Sequence, residues 1–253
     1  MEKRSCLVTG VGWGTGNAIV RRFASSGYNV AMLARRGDRL AEMEKTINGA
    51  FAYPCDVSDI ESFTTTVKKI ESDLGAPSVV IHNAVGGSWG SFLEIDPADL
   101  ERNFKVNTMA LLHLARLTLP SMIEKGTGSL ICTGNTAAHR GRARYAGFAP
   151  TKAAQRILAQ SIARDAGPKG IHVAYVTIDA VIDLRWTRKR SPEKPDDFFI
   201  KPEEIADEVF HLAHQPKGAW SFDVEIIKSM PSFRVISAPI EPNISNIVVI
   251  SWR

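Results

Sequence analysis

Thr9-Gly10-Val11-Gly12-Trp13-Gly14-Thr15-Gly16 places four glycines within seven residues, where a β-branched run gives way to a helical period. With few side chains in the way, the amides of Gly10, Gly12, Trp13, Gly14, Thr15 and Gly16 can close on an anion, and a helix start adds partial positive charge and free N–H donors. The chemistry that suits such a loop is diphosphate binding; an ordinary glycine-rich turn is the plainer alternative. A second signal stands at Leu33-Ala34-Arg35-Arg36. An acidic residue in that place would bind both ribose hydroxyls of NAD(H), and none is there. The planar forks of Arg35 and Arg36 instead suit a 2′-phosphate and can stack on adenine, which favours NADP(H), with NAD(H) the second choice; a solvated pair of loop charges is the other reading. Asp56, in Cys55-Asp56-Val57, either accepts from an adenine amino group or caps a helix.

Such a loop works only between a buried strand and a helix. Short apolar runs alternate along the chain with longer stretches of helical period, which calls for crossover helices over a parallel sheet. Strands are expected at Ser5–Thr9, Asn29–Ala34, Ala50–Cys55, Ser78–His82, Ser129–Thr133, His172–Thr177 and Phe222–Ile226. Helices are expected at 15–26, 38–47, 59–74, 97–124, 149–166 and 202–214. The fold class is therefore α/β: a doubly wound, Rossmann-type parallel sheet of about seven strands with helices on both faces. A single domain over 1–226 is followed by an atypical tail over 227–253.

Composition narrows the partners. At 253 residues and 44% hydrophobic content the chain can bury a large core. Its net charge of +4 is small and not gathered in one tail, which argues against a nucleic-acid partner and leaves anionic small molecules open. Cys6, Cys55 and Cys132 are widely spaced in apolar runs, as reduced buried thiols are; no metal site or disulfide framework is expected, and a cytoplasmic setting is. Nowhere are 18 apolar residues consecutive, and the run after Met1-Glu2-Lys3-Arg4 is too short for a secretory signal, so no membrane partner is expected.

From about residue 4 to 226 the chain resembles the short-chain dehydrogenase/reductase family. The family's T-G-x-x-x-G-x-G is met by Thr9, Gly10, Gly14 and Gly16, its Asp-Val by Asp56 and Val57, and its Asn-Ala by Asn83 and Ala84. Its helix-four asparagine matches Asn107 and its catalytic lysine Lys152, in Phe148-Ala149-Pro150-Thr151-Lys152. The resemblance implies hydride transfer between a nicotinamide and a carbonyl or alcohol, with a tyrosine as proton donor, a serine positioning the substrate and a lysine lowering the tyrosine pKa. Here the tyrosine position holds Phe148 and the serine position Asn135, which marks a divergent branch with an F-x-x-x-K signature. The family's Pro-Gly is replaced within Ile178-Asp179-Ala180-Val181-Ile182-Asp183, where backbone groups near Ile178 and Ile182 remain to meet the carboxamide.

Three substitutes for the lost phenol stay open. Tyr145, three residues before Phe148, could approach Lys152 from a neighbouring face, or simply pack in a loop. Asn135, helped by Thr133 or Thr136, could polarise a carbonyl through its amide, or cap a turn. Lys152 would bind the nicotinamide ribose and Asn107 would hold a water or kink its helix, with or without catalysis. The reading is an NADP(H)-dependent oxidoreductase with a degenerate site, acting on an unidentified small molecule; the alternative is a catalytically silent dinucleotide-binding sensor or scaffold. The basic clusters at 139–144 and 185–190 either attract an anionic substrate or are solvated loops, the latter being favoured. The resemblance also implies a homodimer or homotetramer through helices 97–124 and 149–166.

Overall fold

The apolar strand runs split by residue parity between two cores, one on each side of a sheet. In the computed structural model, which describes residues 4–228, Cys6, Val8, Val30, Met32, Val79, Ile81, Ile131, Ala174 and Val176 face one core. Leu7, Ala31, Leu33, Val80, Leu130, Cys132, Val173 and Tyr175 face the other. Alternate side chains of a strand point to opposite faces, so a strand must be apolar on every residue to be covered twice.

The strands are β1 (Ser5–Thr9), β2 (Asn29–Ala34), β3 (Ala50–Pro54), β4 (Val79–His82), β5 (Gly128–Asn135), β6 (Ile171–Asp179), two short strands β7 (Val181–Ile182) and β8 (Phe199–Ile200), and β9 (Asp223–Ile227). Seven of them form one sheet in the order β3-β2-β1-β4-β5-β6-β9, every pair parallel. The helices are α1 (Thr15–Ser25), α2 (Gly37–Thr46), α3 (Ile60–Leu74), α4 (Pro97–Phe104), α5 (Ala110–Lys125), α6 (Ala149–Ala166), α7 (Arg185–Arg190) and α8 (Pro202–Ala213). Side chains of α1, α2 and α8 fill the first core, and those of α3, α5 and α6 the second. This is the single-domain, doubly wound α/β sheet expected. Strand order reverses between β1 and β4, which pair through Thr9 and His82, and ligands of such sheets bind in the crevice that opens there.

Several boundaries differ from expectation. The helix expected over 97–124 is broken: α4 ends at Phe104, a π turn runs from Lys105 to Met109, and α5 resumes at Ala110. The side chain of Asn107, in the middle of the turn, is bonded outward to another loop, and its carbonyl accepts from Gln155 of α6. Strand β3 stops at Pro54, whose ring has no N–H for the ladder, whereas β5 and β6 run on to Asn135 and Asp179. The basic cluster at 185–190, favoured as a solvated loop, is helix α7. Arg188 anchors it, gripping Asp183 with Nε and Nη2 at 2.7 Å each and lying over the Phe199 ring. Of the expected tail, Ile227 ends β9, and residues 229–253 lie outside the described residues.

Candidate active site

Gly10 ends β1 with φ at +71°, and a methyl group on it would lie 2.5 Å from the backbone nitrogen of Ala84. Only glycine meets both demands. Gly16 is similarly pressed, its absent Cβ falling 2.8 Å from the Gly10 carbonyl. These approaches lock the loop to the end of β4. Asn83 donates its Nδ2 to the Gly10 carbonyl at 3.0 Å, and Thr9 Oγ1 accepts from the amides of Asn83 and Ala84. Helix α1 then begins after Gly14 with no side-chain cap, whereas Asp59 and Asp96 cap α3 and α4. The first-turn amides at Thr15 and Gly16 therefore have no side-chain acceptor of the kind that caps α3 and α4, and α2 and α6 also start without one. A cradle with no side chains at an uncapped helix start fits a dinucleotide's diphosphate. Trp13 stands exposed on the loop, and Leu184 packs on Gly14 from the segment that leads into α7.

At the end of β2, Arg35 is exposed and its charge acts on Asp56. Arg36 is turned to Asp38, 3.1 Å away, with both side chains in solvent. Asp56 closes a turn, accepting from the Ser58 amide at 2.9 Å and the Ser58 hydroxyl at 2.7 Å. The helix cap that Asp56 might have provided is supplied three residues later by Asp59. Burial would raise the Asp56 carboxyl, but the two bonds from Ser58 outweigh it and hold the group below its ordinary range. Val57 is buried in the second core, so only its backbone is left for a ligand. Sequence reasoning missed Arg39. Its Nη1 lies 3.3 Å from where a Cβ on Gly12 would stand, and its buried Nε has no partner. Its place one helical turn beyond Arg35 and Arg36 was a usable signal.

Lys152 lies almost fully buried on α6. Its ammonium donates to the Thr133 carbonyl at 3.1 Å and to Oε1 of Gln155. Gln155 in turn donates its Nε2 to the Asn107 carbonyl at 2.8 Å. Asn107 accepts from the Gly86 amide at 2.9 Å and donates to the Gly86 carbonyl and to Thr151 Oγ1 at 2.8 and 2.7 Å. Thr133 Oγ1 donates to Asn83 Oδ1 at 2.9 Å, which carries the chain of bonds back to Gly10. The glycine loop, the π turn and the lysine are thus one connected network. Burial pulls the Lys152 ammonium down to about 8. Beside it His82 is fully buried, with Nδ1 3.1 Å from Thr9 Oγ1. That hydroxyl oxygen accepts two amides, and its own proton has both the Ile81 carbonyl, at 3.5 Å, and Nδ1 as acceptors. Burial first and the Lys152 charge second pull His82 down to about 3, so it is neutral.

Phe148, only 4% exposed, precedes α6, its ring packed on Trp89 at 5.6 Å and Tyr145 at 6.3 Å between centroids. Tyr145 and Lys152 share no hydrogen bond; the tyrosine ring joins Phe148, Ala137 and Ala149 in a small apolar cluster. Asn135 ends β5 and caps the turn that follows, its Oδ1 accepting from the Ala137 amide at 3.0 Å. That bond leaves the Nδ2 group as the part of the carboxamide available to a ligand. Ile178 is buried in β6, and the Ile182 carbonyl accepts from Thr187 Oγ1 at 2.6 Å. The structure therefore brings Asn83, Ala84, Asn107 and Lys152 into one frame with the glycine loop, and sets Tyr145 and Phe148 in an apolar patch beside it.

A family model for short chain dehydrogenase matches residues 4–191. Over 232 residues the chain is 26% identical to the 7alpha-hydroxysteroid dehydrogenase of Escherichia coli (strain K12), covering 87% of this chain and 90% of that one. Among solved structures it is similar to a metagenomic short-chain oxidoreductase in complex with NADP, at TM-score 0.79 and 25% identity over 90% and 97% of the two chains. It is also similar to an alcohol dehydrogenase of Thermococcus sibiricus complexed with 5-hydroxy-NADP, at TM-score 0.78 and 26% identity over 92% and 100%. The chain belongs to the short-chain dehydrogenase family, a family of oxidoreductases on a Rossmann-type sheet that bind NAD or NADP. No helix among the described residues is long and apolar enough to cross a membrane.

Proposed function

We propose that this protein is an NADP(H)-dependent oxidoreductase acting on a small carbonyl or alcohol through a site that has lost the usual phenol and hydroxyl. The observation that carries the reading is the cradle: Gly10 and Gly16 pressed against Ala84 and each other's backbone, at the uncapped start of α1. Both NADP-bound relatives in which this fold recurs support the choice of cofactor. Within this chain the preference rests on Arg35 at the end of β2, with Arg39 beside Gly12, as groups for a 2′-phosphate.

When bound, the nicotinamide supplies or takes up the hydride. The chain's own residues do the rest. Lys152, as an ammonium, holds the ribose hydroxyls, and Asn107 keeps the π turn and the Gly86 loop in place around it. Asn135 would direct Nδ2 to the substrate oxygen and polarise it without giving a proton, so the alkoxide left by hydride transfer would take its proton from water, and an alcohol would lose its proton to water in the reverse direction. Because a positioned acid contributes about 10²–10⁴-fold, turnover is slow by that measure. The subunits pair through α4, the π turn, α5 and α6, where Met109 of the turn and Ile157 of α6 leave apolar side chains exposed. The test is NADPH consumption over a panel of aldehydes and ketones. Turnover that disappears in Lys152→Ala supports the reading; NADPH binding without turnover on any carbonyl leaves a dinucleotide binder instead.

A further inference from the structure

Gln155 sits one helical turn after Lys152 on α6 and is fully buried. It makes no contact with solvent, and none of the mechanism above uses it. Its carboxamide nevertheless spans the two parts of the site that must stay in register. Oε1 accepts from the Lys152 ammonium, and Nε2 donates at 2.8 Å to the Asn107 carbonyl, which the π turn turns out of its helix. Tyr175 of β6 adds a weaker contact, its buried hydroxyl 3.4 Å from Oε1. The same hydroxyl lies against Gly134, where no side chain larger than hydrogen fits.

From this geometry we infer that Gln155 is the positioning residue of the site: its carboxamide clamps the Lys152 ammonium to the π turn and keeps it charged inside the fold. Two features make the clamp specific. An ammonium has three N–H groups, and Thr133 and Gln155 take two of them, which leaves one for a ribose hydroxyl. An amide also satisfies both ends at once, accepting from the cation and donating to a carbonyl, which neither a carboxylate nor an apolar residue can do. The inference rests on the proposed role of Lys152 in holding the nicotinamide ribose.

The titratable groups that act on Lys152 are Cys132 of β5 and His82 of β4, with Tyr175 of β6 reaching it through Gln155. Cys132 is pushed up to about 12, His82 is neutral, and burial raises Tyr175 far above its ordinary value, so all three are uncharged near neutrality. With those three uncharged, Gln155 is the side chain among the described residues that bonds the ammonium directly.

The test is the Lys152 titration itself, read from the 15Nζ resonance of lysine-labelled protein without cofactor and assigned by its loss in Lys152→Met. Gln155→Met is expected to lower the midpoint by at least about one pH unit, through loss of a hydrogen bond to a charged group. Gln155→Glu is expected to raise it by about one to three units, by setting a carboxylate against the ammonium. NADPH affinity is expected to fall about tenfold in Gln155→Met, a loss typical of one bond to a charged group. Unchanged midpoints in folded variants overturn the inference. If Gln155→Met does not fold, Gln155→Glu decides alone. If neither folds, the wild-type Nζ signal decides: slow solvent exchange with a cross-peak to the Gln155 side-chain amide supports the clamp, and exchange as fast as surface lysines overturns it. Should NADPH fail to bind the wild type, the proposed cofactor reading falls while the titration still judges the clamp.

Discussion

At position 148 a phenylalanine ring stands before α6, packed between Trp89 and Tyr145, while the lysine four residues on is held by the Thr133 carbonyl and Gln155. Restoring a hydroxyl there tests whether the frame is still competent. Phe148→Tyr is expected to raise turnover on any accepted carbonyl at least about tenfold, at the low end of what an acid group contributes; an unchanged rate would mean that the surrounding geometry no longer serves the chemistry. His82 is a second residue with a measurable signature. Its value of about 3 lies below the ordinary 6.5, so the unfolded chain takes up the proton first and stability is lost as pH falls from 6.5 towards 3. In His82→Asn that loss disappears, and the variant's advantage grows to about 2–3 kcal/mol near pH 4.5 in urea unfolding. Lys152 works on the alkaline side. Its value of about 8 lies below 10.5, so the buried charge costs stability below pH 8, and that cost is relieved as pH rises from 8 to 10.5. Relative to Lys152→Met, the wild type should gain about 3 kcal/mol across that window. The glycine loop was legible because its residues are spelled in a short run, Gly10 to Gly16. Arg39, His82 and Gln155 were not, since their meaning comes from a neighbour on another element: Gly12, Thr9 and Asn107.

Among the elements, strands were easy to place where both faces are buried, because Leu7, Val8, Ala31 and Met32 read as unbroken apolar runs. Their ends were harder. Strand β5 continues past Thr133 through Gly134 and Asn135, small or polar residues with no strand signature, because β6 offers matching partners through Ile178. The π turn at 105–109 was hidden for a similar reason: the periodicity of 97–124 is helical, and only the bonds made by Asn107 and Gln155 reveal the break. The basic run at 185–190 read as solvated loop from its charge, but Arg188 is held by Asp183 and Asp196 and covers Phe199. The junction of β1 and α1 tolerates little change. Gly10→Ala combines a left-handed backbone with a clash against Ala84, and should lower unfolding free energy by about 2–4 kcal/mol in denaturant titration while abolishing NADPH binding. A loss below about 0.5 kcal/mol would show that the loop can move aside.

Across the molecule, the alternation of strand and helix was enough to call a parallel sheet clad on both faces, since each crossover must carry the chain back over one face or the other. What alternation could not reveal is the order β3-β2-β1-β4-β5-β6-β9, because pairing is decided by which buried faces meet and not by local pattern. That order places Gly10, Asn83 and the start of α1 at one reversal point, and makes the crevice there a property of the whole sheet. The most direct measurement is calorimetric titration of the protein with NADPH and with NADH, repeated on Arg35→Ala. Binding of NADPH more tightly than NADH, with a loss of about tenfold or more for NADPH alone in the variant, is expected from a charge-assisted contact to the 2′-phosphate. No binding of either nucleotide at millimolar concentration would contradict the assignment of this crevice.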